Sequence, residues 1–281
     1  MELETQRMDC LTLLLKMVMR LATSIAMLTV IYLVGYILVK GIPNLSLSLF
    51  VWEYNSDNVS LMPALINTVY LTTLSLLLAA PLGIFAAIYL AEYARRGNKT
   101  VQMIRLAAET LAGIPSIVYG LFGMIFFVVT LKWGYSLLAG GFTLAIMILP
   151  LIMRTAEEAL ISVPDAYREG AFALGAGRLR TVFKIVLPAA APGILSGVIL
   201  AVGRIAGETA ALIFTAGTLA KVPQTPMDSA RTLSVHMYTL SSEGLHMEAA
   251  YATAVVLIVL VAIINGLSTL AARKLTGGFH E

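Results

Sequence analysis

The chain has 281 residues, of which 59% are hydrophobic and only 12% charged, and its mean hydropathy is +0.87. That balance excludes a soluble domain of ordinary make-up, in which about a quarter of the residues carry charge, and marks a membrane protein. The net charge of +3 is scattered over the ends of apolar stretches, so it is no signal for nucleic acid.

A helix needs about 20 apolar residues to cross a hydrocarbon core ~30 Å thick. Six runs approach that length, at residues 21–39, 65–91, 112–131, 134–153, 189–216 and 249–272, and only the fifth carries charges, Arg204 and Glu208. Each closes its backbone hydrogen bonds as a helix, which lipid requires. The leader before the first run is charged but lacks a small-residue cleavage site, so the first run reads as a retained helix. Cys10 is the single cysteine, which rules out a disulfide within the chain.

Residues 40–64 have no Lys or Arg after Lys40 and suit an extracytoplasmic loop. Residues 92–111 predict an amphipathic cytoplasmic helix after the Gly97-Asn98 turn, either a surface connector or a face for cytoplasmic partners. Pro81 and Pro115 remove helix hydrogen bonds in or near the second and third runs, where static kinks are the commoner outcome. Of the 19 Lys and Arg, 14 fall on one side of the runs, among them Arg95, Arg96, Arg154, Arg168, Arg178, Arg180 and Lys184. Four fall on the other, at Lys40, Lys132, Lys221 and Arg231. Basic residues stay cytoplasmic, so both termini are expected there.

Two connections are long enough to carry function: 154–188 on the cytoplasmic side and 217–248 outside. In the first, Ser162 is the expected cap of a short helix, with Pro164 in its first turn and Asp165 near the positive end of its dipole. Val163, Tyr167, Gly170 or Ala171, and Leu174 share a face, Arg168 and Glu169 lie on others, and Gly175 and Gly177 can end the helix with positive φ. Leu187-Pro188 is expected to end the next helix before the fifth run. In the second connection, Leu233, Met237 and Leu240 keep helical spacing, predicting a short amphipathic helix on the outer surface. His236, His246 and His280 share no metal-ligand spacing and read as solvated. No phosphate-binding GxxxxGK[ST] loop and no nucleophile-base arrangement is present, so the chain is not expected to hydrolyse ATP.

In the fifth run, Arg204 and Glu208 lie four apart and on an unbroken helix would neutralise each other. An intramembrane charge costs roughly 2.5–3.5 kcal/mol even on the lenient insertion scale, so it is read as functional. On a helical wheel Gly193, Gly197, Ala201, Arg204, Gly207, Glu208, Ala211 and Thr215 share a face, with Leu195, Ile199, Val202 and Ile213 opposite. The small face admits a neighbouring helix or a solute.

Glu169-Gly170-Ala171, then Gly175, then Ile185-Val186-Leu187-Pro188 resembles the EAA loop of ABC importer permeases, with Gly170 where alanine is usual. GIPSIVYGLFG at 113–123, LPLIMRTAEEALISVP at 149–164 and GRIAGETAALIFTAG at 203–217 are similar to the membrane subunits of the phosphate (Pst) branch. PQTPMDSARTLSVHMY at 223–238 resembles the A-type (PstA) subunit more than its C-type partner. The resemblance implies an all-α, six-span type I importer permease, with an N-terminal part at 1–64, a permease core at 65–272 and a tail at 273–281. It implies a plasma-membrane location in a bacterium or archaeon, a second permease subunit (PstC-like), two ATPase subunits (PstB-like) and an extracytoplasmic phosphate-binding protein (PstS-like). ATP and Mg would belong to the ATPase, and this chain would bind no cofactor. Glu169, Gly170, Ala171, Gly175, Ile185, Leu187 and Pro188 would couple to the ATPase. Arg204 and Glu208 would line the pathway for inorganic phosphate, and sulfate or molybdate is the alternative cargo. The rival from another class is a stand-alone membrane protein, either an ATPase-independent carrier or an intramembrane enzyme.

Overall fold

Apolar side chains in lipid leave the backbone no partner but itself, and the chain answers with helices throughout. The computed structural model describes residues 2–95 and 97–276, with side chains described at 12–95 and 97–270. The side chains of Arg7, Cys10, Arg96, Arg273 and Lys274, as well as His280 and the end of the tail, lie outside the described residues. Among the described residues there is no strand.

The order is α1 (Glu2–Gly41), α2 (Met62–Ile88), α3 (Lys99–Ala112), α4 (Ser116–Gly123), α5 (Leu137–Ile161), α6 (Asp165–Ala173), α7 (Arg178–Thr181), α8 (Leu187–Ala206), α9 (Ala210–Ile213), α10 (Leu233–Glu243) and α11 (Met247–Thr276). Wider π turns extend α2 through Tyr89–Tyr93 and α4 through Met124–Thr130, and join α7 to α8 through Val182–Val186. Among the described residues five segments are long and apolar enough to cross a membrane, Thr12–Asn44, Met62–Tyr93, Leu137–Ile161, Arg178–Ala206 and Met247–Leu270, and the bent pair Lys99–Ala112 with Ser116–Thr130 makes a sixth if it counts as one span.

The third predicted run is not one straight span. α3 and α4 meet at 100°, because Pro115 has no N–H to continue the helix and disfavours helical geometry at Ile114 before it. The Tyr119 hydroxyl donates to the Leu111 carbonyl across the bend at 2.8 Å. From Ser116 to Thr130 the helix covers 15 residues, or about 22 Å at 1.5 Å per residue. α2, in contrast, runs through Pro81 without a break.

α2, α5 and α8 form the centre, with Leu71, Leu144, Met147, Ile148 and Ile152 almost fully buried. Glycines let the backbones close up: a Cβ on Gly197 of α8 would overlap the Thr155 side chain of α5. α11 packs on α8, and α1 leans on α11 with its apolar surface otherwise uncovered. α3 is tied to α5 by Arg105, whose guanidinium meets the buried Glu157 carboxylate at 2.6 Å. The end holding α3, α6 and α7 is the basic end of the bundle.

At the opposite end the 217–232 segment folds back over the helices. Asn67 of α2 donates to the Lys221 carbonyl at 2.9 Å and the Arg231 carbonyl at 3.1 Å. α10 forms where expected, but Leu233, Ser234, Val235, His236 and Leu240 are buried, so it is an inner element and not a helix lying on the outer surface.

Candidate functional site

At the basic end, the helix predicted from Pro164 and Asp165 forms as α6, although Ser162 does not cap it. The Ser162 hydroxyl donates to the Ala159 carbonyl at 2.8 Å, its N–H closes the end of α5, and Pro164 occupies the cap position instead. The far end closes with the Gly175 N–H on the Phe172 carbonyl at 2.9 Å and the Ala176 N–H on the Ala171 carbonyl at 3.0 Å. Gly175 takes φ +81°, which a side chain would resist. Gly177 does not share that geometry: its φ is −71° and it opens α7.

Glu169 and Gly170 are exposed, with nothing within 4 Å of a Cβ placed on Gly170, while Ala171 is buried. Tyr167, Phe172 and Leu174 present an apolar surface to the outside, so of the face expected to pack, only Val163 and Ala171 turn inward. Ile185, Leu187 and Pro188 are half-buried and flank the fully buried Val186. Leu187-Pro188 does not end a helix. Pro188 stands in the first turn of α8, just after the π turn at Val182–Val186, and one continuous segment runs from Arg178 to Ala206.

Arg168 and Glu92, distant in sequence, meet beneath α6. Arg168 Nη2 lies 2.6 Å from Glu92 Oε1 and its Nε 3.2 Å from the same oxygen. Arg168 also donates to the Leu160 carbonyl at 2.9 Å, to the Val163 carbonyl at 2.7 Å, and to Asp165 Oδ1 at 3.2 Å. The bond to Glu92 raises the Arg168 pKa further above its ordinary value. Arg178 donates to the Glu92 carbonyl and stacks 5.0 Å from the centre of the Tyr93 ring. The sequence offered one hint of this node, a lone Glu92 next to a basic cluster.

In the charged segment the two residues part. α8 stops at Ala206, Gly207 closes it, and Thr209 takes φ −120°, so Glu208 is off the helix and not one turn above Arg204. Glu208 is buried, its Oε1 accepts the Ala211 N–H at 3.1 Å at the start of α9, and its carbonyl accepts the Ser234 hydroxyl at 2.6 Å. No carboxylate lies within ion-pair distance of Arg204 among the described residues, so the predicted pair is absent. Arg204 instead sits in the last turn of α8, where the helix's partial negative charge favours a cation. The small face divides. A Cβ on Gly193 or Gly197 would strike α5, whereas one on Gly203 would meet nothing within 4 Å and one on Gly207 only the Gly203 carbonyl. Arg204 is half-buried at the open part of that face.

His236, expected in solvent, is fully enclosed. Its Nδ1 lies 3.2 Å from Arg231 Nη1 and its Nε2 3.3 Å from the Val59 carbonyl, with Tyr54 edge-on to the ring. Burial, then the Arg231 charge, push its pKa down to about 4 against a smaller upward pull from the Val59 carbonyl. His246 is half-buried.

The family described as binding-protein-dependent transport system inner membrane component matches residues 79–277. A probable ABC transporter permease, YqgI of Bacillus subtilis, is 34% identical over 87% of this chain and 90% of its own. The phosphate transport system permease PstA of Pasteurella multocida is 42% identical over 64% of each chain. Among solved structures, a chain of a bacterial alginate ABC transporter bound to its periplasmic protein superposes with a TM-score of 0.65 at 19% identity, over 91% of this chain and 95% of that one.

Proposed function

The chain belongs to the family of inner-membrane components of binding-protein-dependent transport systems, as an ABC importer permease subunit, and we propose that its cargo is inorganic phosphate. The observation that carries this reading is Arg204: a half-buried guanidinium with no carboxylate partner among the described residues, beside two glycines that leave room for a solute. A guanidinium presents paired donors that match oxyanion oxygens. The α8 terminus supports its charge without blocking those donors, as an ion pair would. Glu208 takes a different part, fixing the break that ends α8 at this depth. The naming of PstA among the relatives supports phosphate over other anions.

The same reading places the basic end in the cytoplasm by the positive-inside rule. There α6 would seat in a groove of a partner ATPase. Glu169, Gly170 and Ala171 would form the contact, Gly175 the turn, and Ile185, Leu187 and Pro188 the start of the rod that carries movement into α8. A second permease subunit would cover the open face of Gly203 and Gly207, and an extracytoplasmic binding protein would deliver the anion. ATP and Mg remain with the ATPase.

The test is ATP-dependent uptake of labelled inorganic phosphate by vesicles holding the full complex. Arg204→Ala is expected to lower uptake at least about tenfold, a loss of the order of one charge-assisted contact, with assembly intact. Glu169→Lys is expected to release or uncouple the ATPase. Uptake unchanged in both variants would overturn the reading, and uptake that survives without the ATPase would favour an independent carrier. Equal competition by sulfate or molybdate would reassign the cargo to oxyanions at large.

A further inference from the structure

The basic end holds a cluster for which transport as described so far has no use: Glu92 with Arg168 and Arg178. Chain connectivity explains its interest. α6 is joined to α5 through residues 162–164 and to α8 through the continuous Arg178–Ala206 segment, so both follow α6 by covalent linkage. α2 has no such link, although it packs against α5 and α8 in the centre. Its end meets α6 at Glu92, where Arg168 binds the carboxylate.

Both flanks of the α6 segment converge on that one residue. Arg168, from within α6, grips the Glu92 carboxylate, and Arg178, from the start of α7, holds the Glu92 carbonyl and the Tyr93 ring. Between them the segment is loosely seated: Ala171 is the buried residue of α6, and Gly170, Gly175 and Gly177 face open space. A load applied to the exposed side of α6 therefore reaches α2 through two guanidiniums. Glu92 is 8% exposed, and separating a buried pair strands its charges, so the link resists extension. The helix ends at Tyr93, which leaves the Glu92 carbonyl in the last turn without a partner in the helix ladder and available to Arg178.

We propose that Glu92 is a positioning residue that makes α2 follow the coupling helix, so that α2, α5 and α8 move as one body when the ATPase moves α6. The proposal rests on the coupling role given to α6 above. Its mark is a loss of movement in α2 without loss of ATPase contact, which a purely structural role would not produce.

The experiment uses the assembled importer with Cys10→Ser, carrying spin labels at Leu77 of α2 and at Leu21 of α1, the helix that leans on α11 outside the α2–α5–α8 centre, both on exposed surface. The distance between labels is read without nucleotide and with ATP and vanadate, and a Phe172→Cys variant reports crosslinking of α6 to the ATPase. The unaltered pair is expected to show a nucleotide-driven shift. Glu92→Gln and Arg168→Lys are expected to lose most of that shift while keeping the crosslink. A full shift in Glu92→Gln, or no shift in the unaltered protein, overturns the latch and leaves the coupling reading standing. An absent crosslink in the otherwise unaltered protein overturns the coupling reading and the latch with it. Failure of both variants to assemble makes Glu92 a folding element and likewise overturns the proposal.

Discussion

His236 and Arg231 share an enclosed space, and that is tolerable only while the imidazole is neutral. Its Nδ1 then accepts from the Arg231 guanidinium, whose Nε donates to the Thr218 carbonyl at 2.6 Å and whose plane lies 5.3 Å from the centre of the Tyr54 ring. The native pKa of about 4 lies below the ordinary histidine value of 6.5, so between those values the unfolded chain binds the extra proton. The contribution to stability is complete above about pH 6.5 and is lost as the pH falls toward about 4. Thermal melting in detergent across that window is expected to fall with pH, and His236→Asn, which has no proton to gain, is expected to flatten the dependence. An equal slope in both proteins would show that other groups govern it.

At the scale of elements, the crossing of α5 and α8 is set by backbone approach. Gly197→Leu would force a branched side chain into Thr155, and overpacking of this kind costs ~1–3 kcal/mol. The expected result is a lower melting temperature with α6 still able to bind the ATPase; an unchanged melting temperature would mean that the helices part at no cost. Hydropathy alone revealed most of the spans, because transfer to lipid depends on composition: 21–39, 65–91 and 249–272 each fall within a helical segment, and 134–153 starts three residues before α5. The turn at Gly175 likewise ended α6 as read from the sequence, whereas the start fell at Pro164 and not at Ser162. Three features stayed hidden for physical reasons. The break at Gly207–Thr209 lies between apolar stretches on both sides, so hydropathy averaged over a span passes over it. The bend at Ile114-Pro115 was readable as a proline but not as a right angle, which depends on what α4 packs against. The Glu92–Arg168 contact joins residues 76 apart, beyond any local pattern. His236 was misread because spacing speaks of metal ligands and says nothing of enclosure.

The whole chain is an incomplete wall. α2, α5 and α8 close against one another on one side, while Gly203, Arg204 and Gly207 look outward from the chain with no covering helix among the described residues. If a second permease subunit completes the wall, access to that face must alternate between the two membrane sides. A cysteine introduced as Gly203→Cys, with Cys10→Ser, is expected to react with a membrane-impermeant thiol reagent from one side without nucleotide and from the other with ATP and vanadate. Reaction from the same side in both states would place this face outside the pathway.

The π turns have a consequence for how such a chain tolerates insertion and deletion. Each wide turn holds one residue more than an α-helical turn would. Deleting a single residue between Val182 and Val186 would therefore leave an ordinary α-helical turn with its two sides in phase, whereas deleting one from the α-helical part of α8 would rotate everything before it by about 100°. In that second case Arg178 would swing away from Tyr93 and from the Glu92 carbonyl that it now holds. The extra residue acts as slack: the wide turn can give it up while the membrane face of α8 and the gripping face of α7 keep their relation along one unbroken rod.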